Sequence, residues 1–391
     1  MKKHLKNLDY PLFIIIVLLS AIGLVMVYSA SFVFAGMDPN IDNPSFYFNR
    51  QRMWLIVGAF VFLFFSLFSY RRIGQFIPII IVVTLILLVA VLIPGVGVER
   101  NYATRWLGFG PLLFQPSELA KVAMLLYFAK VYTNKQDKLH NFNKGVLPPL
   151  ILLGIIFGLI VLQPDLGTGA SIIIACGMIL LFAGIRITHL LVLGIAALAG
   201  VALLILGADY RMGRLTSFMD PFADPTGDGF QLIHSLIAIA SGDLTGVGLA
   251  NSVQKSGFLP EAHTDFIMAV IAEELGFLGV LLVIGLYFVF MFKGILIAKR
   301  APDQFGRLLA YGITFQIVTQ AMINFGAVSG LMPITGITLP LVSYGGSSML
   351  ITFFLLGILM NIAIKGNIAR RTSHKEEDQS SYQLRNSHTV S

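Results

Sequence analysis

Charge is scarce in this sequence. Only 12% of its 391 residues are Asp, Glu, Lys or Arg, whereas 56% are hydrophobic and the mean hydropathy is +0.83. Soluble domains carry about a quarter of their residues as charged side chains, so this composition excludes an ordinary soluble protein. The single cysteine, Cys176, excludes an intramolecular disulfide. Segments of about ten residues with alternating polarity, typical of an outer-membrane barrel, are missing as well.

Long apolar runs are what the sequence has instead. About ten of them are long enough to cross a bilayer, which predicts an all-α polytopic integral membrane protein. The first run is longer than a signal-peptide core, so we expect it to remain as a span. The predicted spans are 11–35, 53–69, 76–94, 112–131, 146–162, 167–184, 188–206, 265–292, 307–327 and 343–364.

Lysine and arginine are unevenly distributed between the predicted loops. If both termini are cytoplasmic, 19 of the 27 lie inside, 7 lie outside and Lys121 lies within a span. Cytoplasmic loops of membrane proteins carry an excess of positive charge, so we expect the N- and C-termini in the cytoplasm. The net charge of +7 reflects this bias and does not indicate a nucleic-acid partner.

One transmembrane domain, 1–366, and a polar cytoplasmic tail, 367–391, are predicted, and the tail is expected to be disordered. A long external loop, 207–264, separates the seventh and eighth spans. Loops of this length in compact proteins tend to be functional or disordered. The stretch "FQLIHSLIAIAS" within it is amphipathic and too short to span, which predicts a re-entrant or interfacial helix. We therefore expect the functional machinery to face outward.

Polar side chains inside the predicted spans need an explanation, because a charge in a bilayer is costly unless it is paired or solvated. Glu118 and Lys121 are three residues apart and share one helix face. They form either a self-satisfying structural pair or part of a substrate cavity. Gln316, Gln320 and Asn324 recur every four residues. Hydrogen bonding between helices is the simpler explanation of this stripe, and ligand contact is the alternative.

The segment "GLMPITGITLPLVSYGGSS", which includes Ser343, is too rich in Pro, Gly, Ser and Thr to be an ordinary helix end. Broken backbone at membrane depth is tolerated only where it is buried in protein or lines a wet cavity.

External arginines are a second candidate feature, because guanidinium groups bind phosphate bidentately. Singly they are better explained as solvated or headgroup contacts, but as a cluster beside an apolar groove they would suit a lipid diphosphate. They are Arg50, Arg52, Arg105, Arg211 and Arg214.

The stretch "GFLPEAHTDFIMAVIAEELG" places His263, Thr264 and Asp265 before a helical run that contains Glu273 and Glu274. One interpretation is that Thr264 or His263 caps the helix and Asp265 complements its dipole. Capping does not explain Glu273, which lies about 12 Å deeper. Glu273 and Glu274 project about 100° apart, so at least one must face protein or water. We predict an acidic, wet helix mouth beside an apolar body, suited to chemistry on a lipid-borne polar substrate.

Five motifs along most of the chain resemble the FtsW/RodA/SpoVE (SEDS) family, and two of them resemble its FtsW cell-division branch more than RodA. The resemblance implies a bacterial peptidoglycan glycosyltransferase that polymerises lipid II outside the cytoplasmic membrane during cell division or elongation. It also implies a class B penicillin-binding transpeptidase and other divisome or elongasome membrane proteins as partners. The motifs are "GLVMVYSAS", "RWLGFGPLLFQPSELAK", "QPDLGTG", "GFLPEAHTDFIMAVIAEELG" and "GLMPITGITLPLVSYGGSS".

The resemblance also implies roles for particular residues. Asp265 would be the essential catalytic carboxylate, Trp106 would lie near the same external cavity, and Glu118 and Lys121 would form the intramembrane pair. Two residues depart from the family pattern, in which Gln and Gly are expected: they are His234 and Asp243. The candidate substrate-binding or cavity residues are Trp106, Glu118, Lys121, Arg50, Arg105, Arg211, Arg214, His263, Glu273 and Ser343.

The hypothesis for the reaction is an inverting transfer. The GlcNAc 4-hydroxyl of one lipid II attacks the anomeric carbon of another, and undecaprenyl diphosphate leaves. Asp265 acts as general base, with a pKa raised from about 3.9 by partial desolvation. Positive charge for the diphosphate comes from Arg211 and Arg214 or from a divalent cation such as Mg²⁺ or Mn²⁺. No Rossmann or P-loop motif is present, so no other cofactor is expected.

Two rival functions are consistent with parts of the sequence. A lipid II flippase would share the many helices, the intramembrane ion pair and the broken last segment. Against it, the unusual residues cluster on the external side and no inverted repeat is obvious. A scaffold that only recruits a transpeptidase would leave the carboxylates unexplained.

Overall fold

A computed structural model of the protein describes residues 7–37, 41, 43–100, 103–109, 112–139 and 141–388. These residues form thirteen α-helices, three strands, two short 3₁₀ turns and a π turn. The fold is therefore all-α, as predicted. In chain order the helices are α1 Tyr10–Met37, α2 Phe46–Leu67, α3 Tyr70–Ile73, α4 Ile77–Ala90, α5 Pro116–Asn134, α6 Leu147–Val161, α7 Leu166–Ala183, α8 Ile187–Leu206, α9 Asp209–Met219, α10 Phe230–Ser241, α11 Ile267–Lys299, α12 Gln304–Val328 and α13 Gly346–His388.

Eight helices of the described chain are long and apolar enough to cross a membrane: α1, α2, α6 with its preceding π turn, α7, α8, α11, α12 and the first part of α13. This confirms a multi-pass membrane protein. The other two predicted spans correspond to α4, which has only 14 residues, and α5, whose 19 residues include Glu118 and Lys121. The last helix continues to His388 through most of the segment expected to be a disordered tail.

The segment before α5 contains a small antiparallel sheet that the sequence analysis did not predict. Strands β1 Gly97–Arg100, β2 Ala103–Phe109 and β3 Leu112–Phe114 pair in that order. The fourth span was predicted to begin at 112, but α5 begins at Pro116, where proline is tolerated because the first helical N–H needs no partner. Side chains alternate along a strand, so Arg105 and Trp106 of β2 point to opposite faces of the sheet.

The bundle is packed unevenly. Helix α12 packs against α5, α7 and α11, and 83% of its most apolar window is buried. Helix α8 contributes no buried residue at all. Both sequences are apolar, so this difference comes from position in the bundle and not from composition. It leaves α8 standing away from α6 and α7.

Helix α11 is broken at Gly276, whose backbone adopts φ 65° and ψ −163°. The adjacent segment 242–248 fits against the break, and a Cβ at Gly242 or Gly246 would overlap the carbonyl groups of α11. The backbone groups freed by the break are thereby satisfied within the protein. The bonds run from Val247 N to Glu273 O (2.9 Å), from Gly248 N to Glu274 O (3.0 Å), from Phe277 N to Asp243 O (2.9 Å) and from Leu278 N to Leu244 O (3.2 Å).

The short amphipathic stretch of the external loop forms α10, a helix of 12 residues, as predicted. Helix α10 buries Leu232 and Ala238 and exposes Ile237 and Ile239. Its position at the membrane interface stays a prediction. One of the two departures from the family pattern lies on it: the His234 Nδ1 atom is 2.7 Å from the Oε1 atom of Gln254.

Candidate functional site

Asp265 lies just before α11 and not within its first turn. The helix begins at Ile267, the N-cap position is occupied by Phe266, and no side chain caps it. Capping by Thr264 would require the helix to begin at Asp265. The helix begins two residues later, so the capping interpretation is wrong. The Asp265 Oδ1 atom accepts a hydrogen bond from Thr264 Oγ1 (2.9 Å), and its backbone carbonyl accepts one from Asn324 Nδ2 (2.7 Å). The side chain is partly buried.

The surroundings of Asp265 favour its protonated form more than water does. Burial raises the pKa of its carboxyl to about 6, and the negative charge of Glu261 acts in the same direction. The hydrogen bond from Thr264 and the positive charge of Arg214 oppose the increase. A carboxylate with a pKa near 6 is ionised at neutral pH and is a stronger base than an ordinary aspartate. These are the properties that a general base requires.

A small pocket surrounds Asp265. Asn324 and the end of α12 form one side, and a stretch of extended chain forms the other. We call this stretch, residues 333–339, the strap. Gly336 of the strap has φ 69°, and a Cβ there would lie 3.7 Å from Asp265 Oδ2 and 3.9 Å from Arg105 Nη1. Gly336, which has no side chain, therefore lies next to both Asp265 and Arg105.

Two arginines flank the Asp265 pocket. Arg105 donates through Nε to the carbonyl of Gln163 (3.1 Å) and through Nη2 to that of Pro164. Its remaining nitrogen, Nη1, lies on the side of the strap. Arg214 on α9 donates to the carbonyl of Ile334 (3.0 Å). Both guanidinium groups are held by backbone carbonyls, and so are oriented without being neutralised by a carboxylate.

Arg211, predicted to bind the diphosphate, is also held by backbone carbonyls. It donates to the carbonyls of Leu204 (2.9 Å) and Val161 (3.2 Å), at the ends of α8 and α6. The C-terminal carbonyls of a helix lack partners within the helix and attract cations, so Arg211 joins two helix ends. Arg50, on α2, lies 5.3 Å from the ring centre of Phe46.

A large apolar groove of about 1090 Å³ lies between α6, α7 and α8. It exists because α8 stands away from its neighbours. Leu, Ile, Ala and Gly side chains line most of it, whereas Tyr210, Arg211 and Arg214 lie at one end. Ile334 and Thr335 of the strap border both the groove and the Asp265 pocket. The two cavities therefore share a wall.

The intramembrane pair of Glu118 and Lys121 is confirmed, with an Nζ to Oε2 distance of 2.8 Å. Both side chains are buried, and Lys121 also donates to Gln320 Oε1 (2.9 Å). This favours the structural interpretation of the pair over a cavity lining.

The polar stripe on α12 bonds to neighbouring segments, as the simpler explanation predicted. Its amide nitrogens donate to Ser171 Oγ from Gln316 (3.0 Å), to Thr338 O from Gln320 (3.0 Å) and to Ile337 O from Asn324 (2.8 Å).

Glu273 and Glu274 are buried anchors, and the prediction of a wet mouth that includes Glu273 is wrong. Glu273 accepts hydrogen bonds from Ser252 Oγ (2.5 Å) and from the backbone N–H of Val253 (2.8 Å). Glu274 pairs with Lys255, whose Nζ atom is 2.6 Å from its Oε1. Both acids face protein, because the 207–264 loop folds back onto α11 and supplies partners that hydropathy cannot indicate.

His263 and Ser343 shape the backbone around Asp265. His263 is buried among aromatic rings, with its ring centre 4.3 Å from that of Tyr47, and burial lowers its pKa to about 4. It is therefore neutral at pH 7. Ser343 accepts a hydrogen bond from the backbone N–H of Leu339 (2.8 Å), at the end of the strap. Trp106 is half-buried on β2, on the face opposite Arg105.

Sequence reasoning missed two residues of this region. Lys255 was counted as an external loop residue, and no local signal could correct this, because its partner Glu274 is 19 positions away. Gly336 was not singled out, although a glycine three residues after Pro333 in broken chain is a signal for a positive φ.

A cation site built from protein side chains is not supported within the described part of the chain. No group of three or more His, Cys, Asp or Glu residues there is placed to hold a metal ion. Among the described residues, Arg214 and Arg105 bring positive charge near Asp265, and a divalent cation bound together with the substrate's diphosphate stays a prediction.

The chain is similar to known proteins along nearly its whole length. The FtsW/RodA/SpoVE family model, described as "Cell cycle protein", matches residues 10–368. The stage V sporulation protein E of Bacillus subtilis strain 168 is 44% identical over 355 residues, covering 91% of this chain and 96% of that protein. The "Probable peptidoglycan glycosyltransferase FtsW" of the same strain is 43% identical over 387 residues, covering 96% and 95%.

A solved structure matches the fold as well. It is described as "Structural coordination of polymerization and crosslinking by a peptidoglycan synthase complex", and one of its chains superposes with a TM-score of 0.75 and 32% identity. The match covers 92% of this chain and 98% of that one.

Proposed function

The chain belongs to the FtsW/RodA/SpoVE family, and from this premise we propose that it is a peptidoglycan glycosyltransferase that polymerises lipid II into glycan strands. Relatives named peptidoglycan glycosyltransferase support this, as does the similar chain from a peptidoglycan synthase complex. One observation carries the proposal: the Asp265 pocket and the apolar groove share Ile334 and Thr335 as a wall. A basic carboxylate and a channel for a lipid tail therefore adjoin, as a lipid-linked sugar substrate requires.

Asp265 is the general base of the proposed transfer. It removes the proton from the GlcNAc 4-hydroxyl of one lipid II as that oxygen attacks the anomeric carbon of another. The bond to the diphosphate breaks, undecaprenyl diphosphate leaves, and the configuration inverts to the β-linkage. Because burial raises the pKa of Asp265 to about 6, the carboxylate is both ionised and adequately basic at neutral pH.

Arg105 and Arg214 are the proposed ligands of the leaving diphosphate. Arg105 lies close to Gly336 of the strap and Arg214 donates to the carbonyl of Ile334, and preoriented positive charge stabilises the negative charge that develops on a leaving group. Arg211, at the same end of the groove, is a third candidate, and its guanidinium group is likewise held by backbone carbonyls. Thr335 adds a buried hydroxyl on the shared wall, whose oxygen has no hydrogen-bond partner among the described residues.

The groove beside α8 is the proposed site of the undecaprenyl tail. Its lining is apolar, and its one polar end is the end nearest Asp265. A lipid diphosphate presents this pattern, with a long hydrocarbon joined to a charged head.

The protein is proposed to act in the bacterial cytoplasmic membrane, with both termini in the cytoplasm and the Asp265 pocket outside. The distribution of Lys and Arg supports this orientation. The similar chain from a complex for polymerization and crosslinking supports a class B penicillin-binding transpeptidase as partner, together with other divisome or elongasome proteins. Transport without polymerisation is not favoured, because the ion pair of Glu118 and Lys121 is buried and bonded within the protein, where Lys121 also donates to Gln320.

The test is polymerisation by the purified protein. The full chain is co-purified with a transpeptidase partner whose own active site is disabled, lipid II is supplied in detergent, and glycan strands are separated on a gel. We expect polymer from the native chain and none from Asp265→Asn or Asp265→Ala. Glu99→Gln, which removes an exposed acid on β1, is the matched control and is expected to polymerise normally. Polymer from both Asp265 variants at the native rate would rule out the role assigned to this acid.

A further inference from the structure

The strap is held by side chains from two helices. Its carbonyl groups at Ile334, Ile337 and Thr338 accept hydrogen bonds from Arg214, Asn324 and Gln320 respectively. The strap belongs to no helix or strand, so it has no regular series of backbone hydrogen bonds. The three side-chain bonds therefore fix its path. Gly336 lies in the middle of the strap, next to Asp265 and Arg105. The three hydrogen bonds therefore also fix the position of Gly336 relative to these two side chains.

One of these three holders is itself oriented by a charge. A glutamine amide can turn over and exchange its oxygen and nitrogen, and only the nitrogen can donate to Thr338. Lys121 donates to Gln320 Oε1 at 2.9 Å, which leaves Nε2 directed to the Thr338 carbonyl at 3.0 Å. Lys121 is held in turn by Glu118 at 2.8 Å. The ion pair thus determines which end of the Gln320 amide faces the strap.

Stability alone does not account for charges at this position. A buried ion pair is commonly no more stabilising than a well-packed apolar pair of similar volume. Glu118 and Lys121 are 4% and 3% exposed, so they have lost nearly all contact with solvent. What an apolar pair could not supply is a directed donor for the oxygen of Gln320.

We propose that Lys121 and Gln320 are positioning residues for the glycosyl transfer, acting through the strap on the geometry of Asp265 and Arg105. This inference rests on the proposed function. Neither residue lines the Asp265 pocket or the groove. Their role is to keep Gly336, and with it the wall between groove and pocket, in one place. A displacement of about 1 Å at a reacting centre can cost about 100-fold in rate, so a held strap matters to the reaction.

The chain offers a matched pair of variants. Gln320 and Gln316 are neighbours in one stripe of α12, both are buried, and each donates one hydrogen bond at 3.0 Å to another segment. Gln316 bonds to Ser171 and not to a carbonyl of the strap. Gln320 also accepts a hydrogen bond from Lys121, so we expect Gln320→Met to lose somewhat more thermal stability than Gln316→Met, and kcat is compared at a temperature at which both variants are folded. Only Gln320→Met should lower kcat for lipid II polymerisation, about 10- to 100-fold, with a smaller change in KM.

A second variant keeps Gln320 and removes what orients it. Glu118→Leu combined with Lys121→Met leaves no unpaired charge, and is expected to lower kcat in the same direction but less, because the amide still faces the strap part of the time. The pH profile is a further readout. Asp265 is surrounded by Glu261, Arg214 and Arg105, and loosening the strap would admit water to the pocket. The acid side of the profile should then move to lower pH in the Gln320 and ion-pair variants and stay in place in Gln316→Met.

The outcomes separate this inference from the proposed function. If Asp265→Asn abolishes polymerisation while Gln320→Met and the ion-pair variant match Gln316→Met in kcat and pH profile, the positioning role is refuted and the function stands. If Asp265→Asn still polymerises, the function itself is overturned. A specific loss of kcat in the Gln320 and ion-pair variants, at a temperature at which they and Gln316→Met are all folded, supports the inference.

Discussion

The 207–264 loop and α11 hold polar residues in two different settings. On what we call the anchored side, Glu273, Glu274 and Lys255 bond to one another, to nearby serines or to the backbone, and all three are buried. On what we call the open side, Asp265 is partly buried beside a small pocket that shares a wall with the apolar groove. Acids of one short stretch therefore have different surroundings. Glu273 and Glu274 hold the loop against α11, whereas Asp265 lies close to the groove proposed for the lipid tail.

Removing one partner of the anchored side should have the largest effect. Lys255→Met leaves Glu274 as an unpaired buried charge, and we expect it to lower the free energy of unfolding by about 3–5 kcal/mol. The double variant Lys255→Met with Glu274→Leu should recover most of this loss. Thermal unfolding in detergent measures both. Equal destabilisation in the single and double variants would show that packing, and not charge pairing, anchors the loop.

The break in α11 can be tested with one methyl group. At Gly276 the backbone has a positive φ, and a Cβ would overlap the backbone of the segment 242–248. We expect Gly276→Ala to cost at least about 1–3 kcal/mol of stability. Gly285→Ala, further along α11, has open space around its Cβ and should be neutral or slightly stabilising. If the two variants unfold alike, the close fit of the loop is not needed.

Filling the groove should affect substrate binding on the open side. Gly177 on α7 lines the groove, and a Cβ there meets no atom within 4 Å. Gly177→Phe would displace part of the proposed lipid tail and so remove about 1–2 kcal/mol of the free energy gained by burying it. We therefore expect the KM for lipid II to be about 5- to 30-fold higher. Stability and kcat should change little. Gly285→Phe is the control outside the groove, and an equal rise in its KM would contradict the tail site.

The smallest predicted effect is a displacement of the pH profile. Polymerisation requires ionised Asp265, so kcat/KM should fall about tenfold per pH unit below a pKa of about 6. The charge of Glu261 raises this pKa, so Glu261→Gln should lower it and move the acid side to lower pH. Glu99→Gln should leave the profile in place. If Glu261→Gln moves the acid side of the profile to higher pH, the group that titrates there is not Asp265.

Much of the architecture was predictable because it depends on local pattern. Apolar runs located the helices, and the short amphipathic stretch located α10. The spacing of Glu118 and Lys121 indicated their pairing, and the motif around Asp265 indicated the acid. In each case the information lies within a few residues of the sequence.

What could not be predicted depends on distant partners. The role of Glu273 follows from Ser252 and Val253, which reach it only after the loop folds back. Arg211 bonds to helix-end carbonyls, which no side chain marks in the sequence. The separation of α8 from the bundle was equally hidden, because a helix facing lipid and one facing protein can be equally apolar.

The shared wall has a consequence for substitutions at two positions. Ile334 and Thr335 belong at once to the groove and to the pocket. A change in either side chain therefore alters the lining of both cavities together. In the proposed function, occupancy of the tail site and the arrangement of the acid are coupled through these two residues.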